Sequence, residues 1–163
     1  MGSTDQISRP GLRAELRDLY DDYAVALDEG RLEDWTGYFT EGAVYKVMGR
    51  ESFDQGLTHA TIYCDSLGMI RDRAASIRQT AVFQPRLLRH FVSGVRATGE
   101  AGGEIAARAN FLVVEALYAE EPQILMVGEY RDRLVRTPEG LRFKERLALY
   151  DNYRVRTTLV IPV

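Results

Sequence analysis

An α+β fold, with three N-terminal helices packed in a strongly curved, largely antiparallel sheet, is predicted by three observations. The front of the chain repeats apolar residues at helical spacing. From Arg86 onward the repeat shifts toward two. The β-runs after that point are long and joined by short turns, which implies antiparallel neighbours. Helices first and a meander afterwards is an α+β order. Such a sheet must bury one face, and the helices are its only cover, so it is expected to wrap them as a cone.

In chain order, residues 1–10 form a flexible N-terminus and residues 11–163 one domain. Pro10 suits a first helical turn. Leu12, Leu16, Leu19, Tyr23 and Leu27 then mark one apolar helix face, with Arg13, Arg17, Asp18, Asp21 and Asp22 on the wet side. Gly30 is the expected stop. Leu32, Trp35 and Phe39 mark a short second helix, and Ala43 to Met48 a first strand. Gly49 to Ala60 has no clear period and reads as loop. Asp65-Ser66 offers an N-cap, and Leu67, Ile70, Ala74, Ile77 and Ala81 carry a third helix from about Ser66 to Thr80, which Pro85 ends. Strands are expected at Arg86–Thr98, Glu104–Tyr118, Ile124–Thr137 and Leu141–Tyr153. Their turns are Gly99 to Gly103, Glu120-Glu121-Pro122 and Pro138-Glu139-Gly140.

Composition removes several function classes. The 163 residues carry a net charge of −3, which argues against a nucleic-acid reader. No apolar run reaches bilayer-spanning length, and no signal-peptide core follows Met1, so a cytoplasmic place is expected. Cys64 is the only cysteine, which excludes an intrachain disulfide and a cluster held by several cysteines. With His59 and His90 as the only histidines, His- and Cys-rich zinc sites cannot be built. No glycine-rich phosphate loop is present. No cofactor is expected in this chain.

The run Leu27-Asp28-Glu29-Gly30-Arg31-Leu32-Glu33-Asp34-Trp35, continuing to Phe39-Thr40 and Val44-Tyr45, resembles the entry to the cone fold of ketosteroid isomerase and scytalone dehydratase. Tyr63, Asp65-Ser66, Met69, Asp72-Arg73, Arg78 and Arg89-His90 resemble the small (β) subunit of aromatic-ring-hydroxylating, Rieske-type dioxygenases. So do Gly128-Glu129-Tyr130, Asp132, Glu145-Arg146, Asp151 and the stretch Leu159–Val163. The likeness runs from about Leu12 onward, and no family motif falls in Met48 to Ala60. It implies a non-catalytic structural subunit in the catabolism of an aromatic compound, an aromatic acid by preference. The Rieske iron–sulfur cluster and mononuclear iron would lie in a partner large (α) subunit. Three copies of this chain would join three large ones as an α3β3 hexamer, served by a reductase or ferredoxin.

The candidate residues carry paired readings. His90 is a base lining the cone or a hydrogen-bonded group in the core or at a subunit contact. Asp28 is a helix-end residue, or, by the same resemblance, helps orient a histidine or water as an aspartate does in the dehydratases of this fold. With Tyr45 and Tyr23 they would form an acid–base set for dehydration or isomerisation by a free-standing enzyme. A cofactor-free small-molecule binder is a further reading. Asp65, Arg71, Asp72, Arg73 and Arg78, with Arg89 and His90, form the expected subunit interface, because the arginine fork suits such contacts. His59 is expected at the surface and Cys64 in the core.

Overall fold

The structure, a computed structural model, describes residues 10–80, 86–154 and 161–163. The N-terminal stretch 1–9, Pro85 and the pair Leu159-Val160 lie outside the described residues.

Helix α1 (Pro10–Asp28) buries the expected face: Leu12, Leu16, Leu19, Tyr20, Tyr23, Ala26 and Leu27 are all 7% exposed or less. It stops as the glycine predicts. Gly30 takes φ +69°, its N–H donates to the Leu27 carbonyl, and the Arg31 N–H reaches back to Ala26 at 2.8 Å. This is the paired closure that a left-handed residue permits. Helix α2 (Leu32–Thr36) turns Leu32 and Trp35 inward.

Strand β1 (Phe39–Gly49) begins four residues earlier than its apolar run, because an irregularity between Phe39 and Val44 interrupts the alternation. The stretch read as loop contains a short helix, α3 (Arg50–Asp54), and is followed by a three-residue strand, β2 (Ile62–Cys64). Both are too short to show a period. Phe53 seats α3 against Met48, Leu147 and Leu149, and Arg50 ties its start to Asp151 at 3.0 Å. Helix α4 (Leu67–Thr80) is capped by the Ser66 hydroxyl, which accepts the Met69 N–H at 3.3 Å.

Strands β3 (Arg86–Ala101), β4 (Glu104–Leu117), β5 (Gln123–Thr137) and β6 (Gly140–Tyr150) follow. β3 runs past its predicted turn. The reversal needs only Gly102 and Gly103, at φ +59° and +80°, with Ala101 paired to Glu104. Two residues with positive φ make the tight hairpin that matches strand twist. β6 stops short of Tyr153 because the Asn152 amide replaces the ladder, accepting from the Val127 N–H and donating to the Leu125 carbonyl.

The sheet order is β2-β1-β6-β5-β4-β3, antiparallel throughout except for the parallel pair β1–β6. Register shifts at Ser93/Arg96, Ala97/Gly99, Val113/Val114 and Arg133/Leu134 add bend and twist. The sheet therefore curls about α1, α2 and α4 without closing, as the α+β prediction requires.

One glycine fixes how closely two strands approach. A Cβ on Gly128 of β5 would lie 1.9 Å from the Leu149 carbonyl oxygen of β6, and backbone cannot yield as a side chain can. We expect Gly128→Ala to lower unfolding stability by at least about 2–3 kcal/mol in urea titration.

Candidate functional site

The register places one polar row across the inner face of the sheet. Tyr45 of β1 pairs with Arg146 of β6, Arg146 with Asp132 of β5, and Asp132 with Ala107 of β4. Arg146 and Asp132 have no exposed side-chain surface and form an ion pair at 3.3 Å. The Tyr20 hydroxyl of α1 donates to the same Asp132 oxygen. Aromatic rings enclose the guanidinium: Tyr130 at 3.6 Å, Tyr23 at 3.9 Å, Phe143 at 4.4 Å and Tyr20 at 5.0 Å. Trp35, Phe39 and Tyr45 continue the packing edge to face. The cone interior is thus filled by side chains around one buried charge pair. Surface clefts lie outside it, among them one along α3 beside Tyr150–Tyr153 and one between α2 and α4.

Burial pushes the Asp132 carboxyl up to about 6, against the pull of Arg146 and the Tyr20 hydrogen bond. An unfolded aspartate titrates near 3.9. The folded chain therefore holds a proton between about pH 4 and pH 6 that the unfolded chain has lost. This group's contribution to stability is full below that window and is lost as pH rises through it. We expect the stability difference between the native chain and Asp132→Asn to shift against the native chain from pH 4 to pH 6, read by urea unfolding at each pH.

The structure brings Asp28 and His90 together. Asp28 ends α1, and His90 sits on the inner face of β3. His90 Nδ1 lies 2.6 Å from an Asp28 oxygen, and the His90 backbone N–H donates to both carboxylate oxygens at 3.0 and 3.1 Å. His90 Nε2 is buried and has no partner. Tyr23 and Tyr45 do not join this pair. Their hydroxyls meet at the Val163 carbonyl.

The residues expected at an interface divide. Asp65, Arg71 and Asp72 are exposed on or just before α4, and Arg73 is half-buried. Arg78 is taken up by an ion pair with Glu33 of α2. Arg89 points outward from β3, while His90, the next residue, points inward with no exposed side-chain surface. Strand alternation separates those two, so the seven do not share one surface. His59 is exposed, and Cys64 is buried, which raises its thiol.

A surface that the helix-centred reading passed over lies on the outer face of β3, β4 and β5. Phe91 is opposite Leu112, which is opposite Val127. Arg89 is opposite Val114, which is opposite Ile124, and Leu87 lies one rung on. Leu87 is 63% exposed, Phe91 58%, Ile124 58% and Val127 42%. Large apolar side chains side by side on three strands form a patch rather than scattered exposure. Farther along the strands, the outer face turns charged. Glu129 accepts from Arg131 at 2.8 Å, with Arg108 and Arg50 nearby; burial would raise its carboxyl, but these arginines hold it below its usual range. The signal was in the sequence: FLVV and ILMV are apolar at successive positions, and apolar pairs flank Arg89-His90 in LLRHFV, as in strands covered on both faces.

Among the described residues no group of three or more His, Cys, Asp or Glu is placed to hold a metal ion. A Rieske centre takes two cysteines and two histidines. One cysteine in the whole chain does not fit it.

A cone of this kind, with a packed interior and an apolar flank, defines a class of curved-sheet α+β proteins. Comparison narrows the class. The family model described as ring hydroxylating beta subunit matches residues 23–157. The anthranilate 1,2-dioxygenase small subunit of Burkholderia cepacia is 36% identical over 149 residues, covering 91% of this chain and 92% of that protein. A terephthalate 1,2-dioxygenase terminal oxygenase beta subunit of Comamonas sp is 26% identical over 141 residues, with coverages of 86% and 92%. The crystal structure of the beta subunit assigned to an aromatic-ring-hydroxylating dioxygenase of Novosphingobium aromaticivorans superposes with a TM-score of 0.86 at 32% identity. That match covers 94% of this chain and 98% of the other. The chain belongs to the ring hydroxylating beta subunit family, the small subunits of aromatic-ring-hydroxylating dioxygenases. Among the described residues no helix is long and apolar enough to cross a membrane.

Proposed function

We propose that this chain is a structural, non-catalytic small subunit that holds large subunits in register. The large subunit carries the Rieske cluster and the mononuclear iron, and electrons arrive through a reductase or ferredoxin in the cytoplasm. Three copies of the chain join three large subunits. The single observation that carries this reading is the apolar outer face of β3–β5, which needs a protein cover. The packed cone interior agrees with it. The named relatives are subunits of an anthranilate and a terephthalate 1,2-dioxygenase, which supports an aromatic acid as the substrate of the assembled enzyme.

Co-expression with a large subunit tests the assembly. The expected result is one complex by size-exclusion chromatography that contains both chains, with all its iron in the large one. A chain that remains monomeric and ignores every large subunit defeats the reading.

The Asp28–His90 contact favours a second reading, a free-standing dehydratase or isomerase with His90 Nε2 as base. On that reading His90→Ala abolishes turnover in a folded, unassembled chain. On the structural reading the same change alters stability and leaves the activity of the assembled oxygenase in place.

A further inference from the structure

Tyr23 of α1 and Tyr45 of β1 converge on one residue of a separate segment. The Tyr23 hydroxyl donates to the Val163 carbonyl at 3.0 Å and the Tyr45 hydroxyl donates to it at 3.1 Å. The Val163 N–H donates to the Tyr45 oxygen at 3.0 Å. Val163 is 1% exposed and packs within the main core. Burial raises both phenols, so both stay protonated at neutral pH and able to donate.

The walls around this contact are flat and rich in donors. Trp35 and Phe39 pack against both tyrosine rings. The Arg146 guanidinium lies 3.9 Å from the centre of the Tyr23 ring. Trp35 Nε1 and Arg146 Nε and Nη2 are buried without a hydrogen-bond partner, on two side chains with no exposed surface; on the acceptor side one Asp132 oxygen is also unpartnered, and so is the Tyr130 hydroxyl, which can act either way. Asp132, paired to Arg146, is the one carboxylate in this row. Buried donors that outnumber acceptors, next to a fixed cation, suit an oxygen that carries negative charge. Aromatic walls suit a flat apolar body beside it.

We infer that the cone holds a binding site for a small carboxylate with a flat apolar body, and that residues 161–163 close this site by occupying it. The Val163 carbonyl takes the position of the ligand's acceptor oxygen between Tyr23 and Tyr45. A segment tethered to its own site acts at an effective concentration in the millimolar range. It therefore weakens the apparent affinity of a free ligand, which must displace it. The inference is independent of the assembly reading, because the site lies inside the cone and the apolar patch outside it.

Benzoate is a suitable probe, since it has the carboxylate and the flat ring and nothing more. In the full chain with residues 161–163 replaced by Gly-Ser-Gly, calorimetry should show benzoate binding at least roughly tenfold tighter than in the unaltered chain. Adding Tyr23→Phe and Tyr45→Phe to that variant should weaken it again by at least roughly tenfold. A variant that keeps its near-ultraviolet circular dichroism yet binds benzoate no better overturns the proposal, as does binding indifferent to the two phenols. If the replaced chain does not fold, the unaltered chain decides. Saturating benzoate should displace the segment and speed hydrogen exchange at the Val163 N–H relative to an equal concentration of chloride. An unchanged exchange rate overturns the proposal.

Discussion

Removing either member of the Asp132–Arg146 pair should cost about 3–5 kcal/mol of unfolding stability, because each change strands a buried charge. The two losses should differ in pH dependence. Asp132→Leu leaves a guanidinium that keeps its proton, since burial opposes its charge without overcoming it. That variant has no carboxyl to titrate here, so its loss should grow as pH falls from about 6 to about 4, where the native chain gains the Asp132 term. Arg146→Met leaves a carboxyl already pushed up to about 6 by burial, and with its cation gone that carboxyl protonates more readily still. The loss in Arg146→Met should therefore shrink as pH falls below neutral. The double variant should regain most of the stability of the native chain, because apolar side chains of similar volume often replace a buried pair without net cost. Urea unfolding of the four chains at several pH values gives the cycle directly. Two singles and a double that simply add would show that the pair is not coupled.

Burial outweighs the attraction at the Asp132 carboxyl and is outweighed by it at the Arg146 guanidinium, so pairing is not a one-sided gain in stability. The pair's geometry suits register. Arg146 reaches Asp132 across one strand boundary, and a one-residue slip of β6 would turn the guanidinium to the other face.

How much of this was legible in the sequence depended on the length scale of each signal. Leu12 to Leu27 and Leu67 to Ile77 repeat over several turns, and both helices lie where the repeats place them. Helix α3 and strand β2 are one or two repeats long, so no period could show them. The sheet was legible as runs, but its strand order was not. That β1 inserts beside β6 rather than beside β3 depends on the path of the chain through α3 and α4. Asp28 and His90 were singled out as residue types, and their 2.6 Å contact spans 62 positions that no spacing rule bridges. The Arg146 cage went unseen because an arginine in a strand reads by default as solvent-facing. Only the cross-strand register shows that position 146 faces inward. The interface reading followed charge on α4, whereas the surface most in need of cover is apolar and lies on the opposite side of the sheet.

That difference can be tested at the patch itself. Phe91→Glu with Val127→Glu should leave the isolated chain folded, since both side chains are well exposed and surface changes typically move stability by less than about 0.5 kcal/mol. Assembly should respond very differently. Losing a central aromatic anchor costs an interface about 2 kcal/mol or more. A carboxylate held under a protein cover without a partner costs several kcal/mol on top of that. Each 1.4 kcal/mol is a tenfold change, so the two together should weaken association by roughly a thousandfold or more. Size-exclusion chromatography with light scattering should then give a folded monomer that no longer co-purifies with a large subunit. Thr98→Glu adds the same charge to the same strand, but seven residues beyond Phe91 and off the patch, so it should assemble normally. If the patch variant assembles as the native chain does, β3–β5 is not the interface. The exposed charges of α4, Arg71 and Asp72 first among them, then become the surface to change.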